Sequence, residues 1–127
     1  MSSDFSGRRV LVVEDEIIVS WLLEDVLADL GCAVVGPAAC VKEALAMIDG
    51  EAIDAAVLDV NLDGQPSYAI ADALAASGVP FVFSTGYAPN SLLDGYRAIP
   101  TLQKPFHASE LADALASVLP TRNGDES

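Results

Sequence analysis

The run Ala55-Ala56-Val57-Leu58 is apolar at every position, is led in by Ile53-Asp54, and ends on a single carboxylate, Asp59. A strand with one wet face alternates polar and apolar residues. A short run with no polar position is instead a strand buried on both faces, as in parallel sheets covered by helices. Asp59 therefore stands where such a strand leaves the core. In open parallel α/β sheets the ligand crevice lies outside the carboxyl ends of the strands, so an acid at that point is a candidate for chemistry.

The rest of the chain repeats the pattern. Arg8 to Val13 is a β-branched apolar run that exits through Glu14-Asp15-Glu16. Ile17, Ile18, Trp21, Leu22, Val26 and Leu30 follow at three- and four-residue steps, which predicts a helix with that face on the sheet, ended by Gly31, and places Trp21 in the core. Asp15 or Glu16 is positioned to cap or charge its first turn. Cys32 to Val35 is a second short strand stopping at Gly36-Pro37, with no polar group at its end; Val41, Ala44, Leu45 and Ile48 mark a second helix closed near Gly50. After the third strand, Asp54 to Val60, come a turn at Asp63-Gly64-Gln65-Pro66 and a helix from Ser67 to Ser77. Val79 to Phe83 is a fourth strand that leaves through Ser84-Thr85-Gly86-Tyr87, with Phe81 and Phe83 assigned to the core. Ala88 to Gly95 is a short, weakly amphipathic segment opened by Pro89-Asn90. Ile99 to Gln103 is a fifth strand leaving through Lys104-Pro105; Leu111, Ala114, Leu115 and Val118 give a last helix, with His107 at its start on the surface.

Five strands alternating with five helices predict an α/β fold, a doubly wound five-stranded parallel sheet with helices on both faces. Residues 8–119 form the domain, between tails at 1–7 and 120–127. In the flavodoxin-like order 2-1-3-4-5, the first, third, fourth and fifth strands are neighbours. Their polar ends, Glu14 and Asp15, Asp59, Thr85, and Lys104, then converge at one edge of the sheet.

Three carboxylates that close need a counter-charge. An oxygen-only set with no His or Cys suits a hard ion such as Mg²⁺, which keeps several waters and takes further oxygens from a phosphate. The main-chain carbonyl of Asn61 is placed to supply one more ligand. With Lys104 as an ammonium donor and Thr85 as a hydroxyl donor, the set is suited to a phosphoryl group in transfer, with Asp59 as nucleophile and an acyl phosphate as product.

Composition narrows the partners. Nineteen acidic and six basic residues give a net charge of −13, which repels phosphate backbones and argues against nucleic-acid binding. Although 52% of the residues are hydrophobic, no apolar stretch reaches the roughly eighteen residues of a membrane span. Met1-Ser2-Ser3-Asp4-Phe5 has no secretory pattern, so a cytoplasmic location is expected, with Cys32 and Cys40 as buried reduced thiols.

Leu-Val-Val-Glu-Asp-Glu at the first strand, Leu-Asp-Val-Asn-Leu at the third, Ser-Thr-Gly at the fourth and Lys-Pro at the fifth are each weak motifs and together specific. As a set they resemble the receiver domain of two-component response regulators, from Arg8 to Leu119, in its stand-alone form. The resemblance implies that Asp59 accepts phosphate from the phosphohistidine of a sensor kinase or phosphotransfer protein. It also implies that Asp15 and Asp59 ligate Mg²⁺, that Glu14 acts through water, and that Thr85 and Lys104 bind the phosphoryl oxygens. It further implies a cis Lys104-Pro105 bond. The aromatic residue usual three positions before the lysine is replaced by Thr101, which leaves the family's ring-rotation switch without its ring. Phe83-Ser84-Thr85-Gly86 is similar instead to a subgroup with Phe-Ala-Thr-Gly, associated with kinases of the HWE and related families. For such a chain the expectation is a module that phosphorylates itself from the donor and loses the phosphate by hydrolysis. It then binds a downstream protein through the face of the last two helices and fifth strand, forms a homodimer favoured by the phosphorylated state, or drains phosphate from the kinase. The alternative on the same residues is an Mg²⁺-dependent phosphohydrolase of the haloacid-dehalogenase class. That class wants an acid two positions after the nucleophile, where this chain has Asn61.

Overall fold

A computed structural model describes residues 5–62, 64–86 and 99–119. The elements are β1 (Arg9–Val13), α1 (Ile17–Asp29), β2 (Ala33–Ala38), α2 (Val41–Gly50), β3 (Ala55–Asp59), β4 (Asn61–Leu62), β5 (Gln65–Pro66), α3 (Tyr68–Ala76), β6 (Phe81–Thr85), β7 (Thr101–Gln103) and α4 (Ala108–Val118).

Val10 to Val13 and Ala55 to Leu58 are wholly buried, so their backbone groups must be satisfied by neighbouring strands. They are: five parallel strands pair in the order β2-β1-β3-β6-β7, the doubly wound order expected from the sequence. Alternate residues feed two cores. Leu11, Val13, Ala56, Leu58 and Phe83 face α2 and α3, packing with Ala44, Ile70, Ala71 and Leu74. Val10, Val12, Ala55, Val57 and Val82 face α1 and α4, packing with Leu23, Leu27, Leu111 and Leu115. Phe81 and Phe83 are buried edge to face at 5.5 Å, and Tyr68 meets Phe83 in the same manner at 6.3 Å. The expected helix over Ala88 to Gly95, and Tyr87 before it, lie outside the described residues.

Three expectations are corrected. The face of α1 turned to the sheet carries Ser20, Leu23 and Leu27, with Val19, Val26 and Leu30 packed beside them. Ile17, Ile18, Trp21 and Leu22 are 56–69% exposed. The first half of this helix is apolar nearly all round, so periodicity alone admits two stripes; Leu23 and Leu27 mark the one that won. The second strand does not stop at Gly36-Pro37 but runs through it to Ala38 by way of a bulge opposite Leu11 and Val13. Gly36 has φ +96°, and a Cβ there would lie 2.9 Å from the Ala38 nitrogen, so glycine is what lets the strand continue. Cys40 is only half-buried, while Cys32 is buried and its thiol is pushed up by that burial; both are free.

The turn after β3 closes as a two-residue antiparallel pair, β4 with β5, which the sequence did not announce. Gly64, at φ +89°, donates its N–H to the Asn61 side-chain oxygen at 2.7 Å and seals the turn. His107 is exposed, as expected; its N–H is held by Glu110 at 2.7 Å at the start of α4. Among the described residues no helix is long and apolar enough to cross a membrane.

Candidate functional site

The carboxyl ends of β1, β3, β6 and β7 bring the predicted site residues together. Asp59 is the last residue of β3 and Thr85 of β6, while Glu14 and Lys104 directly follow β1 and β7. Backbone bonds fix these exits: Glu14 N–H donates to the Ala38 carbonyl at 2.9 Å, which the β2 bulge delivers, and Lys104 N–H donates to the Thr85 carbonyl at 2.7 Å. Glu14, Asp59 and Thr85 are all at most 5% exposed, so the carboxylates sit at the bottom of the crevice. The Lys104–Pro105 bond is cis, as is Gly36–Pro37.

Lys104 is the hub. Its Nζ lies 3.0 Å from Glu14 Oε1, 3.1 Å from Glu16 Oε1 and 3.2 Å from Asp59 Oδ2. Burial works against its charge, but the hydrogen bond to Glu14 and the charges of Asp59 and Glu14 outweigh that and hold the ammonium above its ordinary range. Burial, reinforced by the Asp59 charge, pushes the Glu14 carboxyl up to about 7 against the pull of Lys104. Burial also raises Asp59, against the pull of Lys104 and of the Asn61 N–H, which donates to Asp59 Oδ1 at 3.2 Å. Buried acids raised in this way are short of positive charge.

The residues fit a hard cation. One carboxylate oxygen from each of Glu14, Asp15 and Asp59 lies within 4.8 Å of the others, and Glu14 Oε1 is buried without a hydrogen bond among the described residues, with the Lys104 ammonium 3.0 Å away. Among the described residues the cluster is made of carboxylates alone, which is the chemistry Mg²⁺ selects.

Three features of the site were not foreseen. Glu16 starts α1 without making a side-chain cap and spends its carboxylate on Lys104 instead. Ser84, the register partner of Asp59, has a buried hydroxyl with no hydrogen bond among the described residues. An apolar cleft of about 390 Å³ opens beside Lys104, lined by Glu16, Val19, Leu22, Gly86, Pro105 and Phe106; it joins the site to the exposed face of α1. Thr101, at the position of the missing aromatic, ties its hydroxyl to the Ile99 carbonyl at 3.1 Å.

Fold and site together define a doubly wound α/β domain with an acid cluster, a lysine and a hydroxyl at its topological switch point. Comparison with known proteins assigns that class to a family: residues 10–116 match the response regulator receiver domain, and the chain belongs to that family. It is similar to SdrG from Sphingomonas melonis Fr1, at 44% identity over 92% of this chain and 98% of that one, with a TM-score of 0.79. The receiver domain of PhyR from Erythrobacter litoralis matches at 31% identity over 88% of this chain and 89% of that one, with a TM-score of 0.78. The transcriptional regulatory protein PdtaR of Mycobacterium tuberculosis is 30% identical over 112 residues, 85% of this chain and 55% of its own length. The chain thus spans about half of that relative. The match is to receivers and lends nothing to the haloacid-dehalogenase alternative. Receivers take phosphate from histidine kinases, and phosphorylation-based signalling is the activity of the family.

Proposed function

We propose that Asp59 is the phosphoacceptor of this receiver and that Glu14, Asp15 and Asp59, with the Asn61 main-chain carbonyl, hold Mg²⁺, Glu14 acting through water. When bound, the ion neutralises the acid cluster and the charge on the transferring group. Asp59 attacks phosphorus while the P–N bond to the donor imidazole breaks, its electron pair staying on the ring nitrogen. Lys104 and Thr85 donate to the phosphoryl oxygens and hold the group in line. In hydrolysis a water attacks phosphorus, the bond to Asp59 breaks, the carboxylate is restored and inorganic phosphate leaves. The observation that carries this reading is the lysine ammonium 3.2 Å from a buried strand-end carboxylate inside a cation-ready acid cluster.

The donor is a phosphohistidine domain of a sensor kinase, of HWE type by the Phe-Ser-Thr-Gly run, or of a phosphotransfer protein. Because Asp59 is almost fully buried, such a domain must cover the crevice to reach it. The exposed ridge of Ile17, Ile18, Trp21 and Leu22 is continuous with the apolar cleft beside Lys104 and is the face we assign to that contact. The phosphorylated form signals by binding another protein; the charge of −13 directs it to protein rather than nucleic acid.

The test is the intact mass after incubation with a small phosphodonor and Mg²⁺, with Asp59→Asn and metal-free controls. One base-labile phosphate that requires both Asp59 and the metal is expected. An adduct that survives Asp59→Asn would overturn the assignment.

A further inference from the structure

The Lys104 ammonium has three N–H donors and three carboxylates around it, those of Glu14, Glu16 and Asp59, at 3.0–3.2 Å. Two of these acids have work in the proposed chemistry: Asp59 takes the phosphoryl group and Glu14 belongs to the cation cluster. Glu16 does neither. It is absent from the group of acids close enough to share an ion, its side chain is 62% exposed while that of Glu14 is wholly buried, and it leaves the α1 N-terminus uncapped.

We propose that Glu16 is a displaceable counter-ion of Lys104: it takes the third ammonium donor in the unphosphorylated protein, and a phosphoryl group on Asp59 must evict it to be gripped. The inference rests on the reading above that Lys104 binds phosphoryl oxygens. Glu14 and Asp59 are fixed at strand ends by buried backbone, so they cannot yield the donor by swinging away. Glu16, at the rim of the crevice, can turn to solvent at small cost. The arriving group brings negative charge to the same ammonium, and the Glu16 carboxylate opposes it there. Glu16 thereby weakens capture of the phosphoryl group and shortens its stay.

Beryllofluoride, which stands in for the phosphoryl group on a carboxylate, tests this. Wild type, Glu16→Gln and Glu16→Ala are titrated with it at saturating Mg²⁺, and separately with Mg²⁺ alone. Both variants should bind beryllofluoride about two- to fivefold more tightly, the scale of one exposed ion pair, while binding Mg²⁺ alone no better than wild type. A purely structural Glu16 would weaken both affinities. Beryllofluoride affinity unchanged or lower in Glu16→Gln would overturn the proposal with the receiver chemistry intact. Wild type that takes up no beryllofluoride would instead remove the phosphoacceptor reading beneath it.

Discussion

The main-chain N–H of Lys104 donates to the carbonyl of Thr85 at 2.7 Å. This single ladder bond joins the ends of β6 and β7, the two strand ends that carry the residues proposed to hold a phosphoryl group.

Lys104→Ala removes the ammonium that faces Asp59 and Glu14. Loss of one preorganised donor to a developing charge costs about 10²–10³ in rate, so phosphorylation by a small donor should slow by about that much. Time-resolved intact mass measures it. A variant that phosphorylates at the wild-type rate would show that Lys104 is only a counter-ion.

Trp21→Ser removes a large apolar side chain from the exposed ridge of α1, where it is 57% exposed and contributes no core packing. Stability should stay within about 0.5 kcal/mol of wild type. Phosphotransfer from a histidine kinase should fall several-fold, while phosphorylation by a small donor is unaffected. Equal loss with both donors would mean that the residue acts on Asp59 and not on docking.

The legible part of this molecule was the backbone and the strand ends. Runs such as Val10 to Val13 and Ala55 to Leu58 admit one environment only, and the placement of Asp59, Thr85 and Lys104 follows from strand order. Less legible was anything decided by rotation or by a single side chain. The apolar residues at 17, 18, 21 and 22 read as a core stripe because a helix apolar on two sides has no unique phase. Gly36-Pro37 read as a stop because turn chemistry and bulge chemistry share those residues. Glu16 reads, with Asp15, as an acid that caps or charges the first turn of α1, since only the position of Lys104, 88 residues away, shows where its carboxylate goes.

Ser84→Ala should stabilise the protein. The hydroxyl is buried on the strand next to Asp59 without a partner among the described residues, and an unsatisfied buried polar group costs roughly 1–3 kcal/mol. Alanine fits the same strand position and leaves the backbone bond from Val60 N–H to the Ser84 carbonyl in place. A gain of about 1 kcal/mol in chemical denaturation is expected, with phosphorylation retained. A loss of stability would show that the hydroxyl has a partner in solution.

Stability should also report on the cation through pH. The Glu14 carboxyl is raised from 4.5 to about 7 by burial and by the charge of Asp59, and Asp59 is raised as well. Raised carboxyls mean that between about pH 4.5 and pH 7 the folded protein holds more protons than the unfolded chain, so metal-free stability falls as pH rises through that window. Mg²⁺ competes with the same protons. Its apparent affinity should drop about tenfold per pH unit below 7 if one proton must leave, and its stabilising effect should be larger near pH 8 than near pH 5.5. Thermal melts with and without Mg²⁺ across that interval measure both trends. Glu14→Gln should flatten the metal-free slope, because the amide takes up no proton and carries no charge to repel Asp59. A metal-free melting temperature that climbs from about pH 5.5 to pH 8 would contradict the buried acid pair.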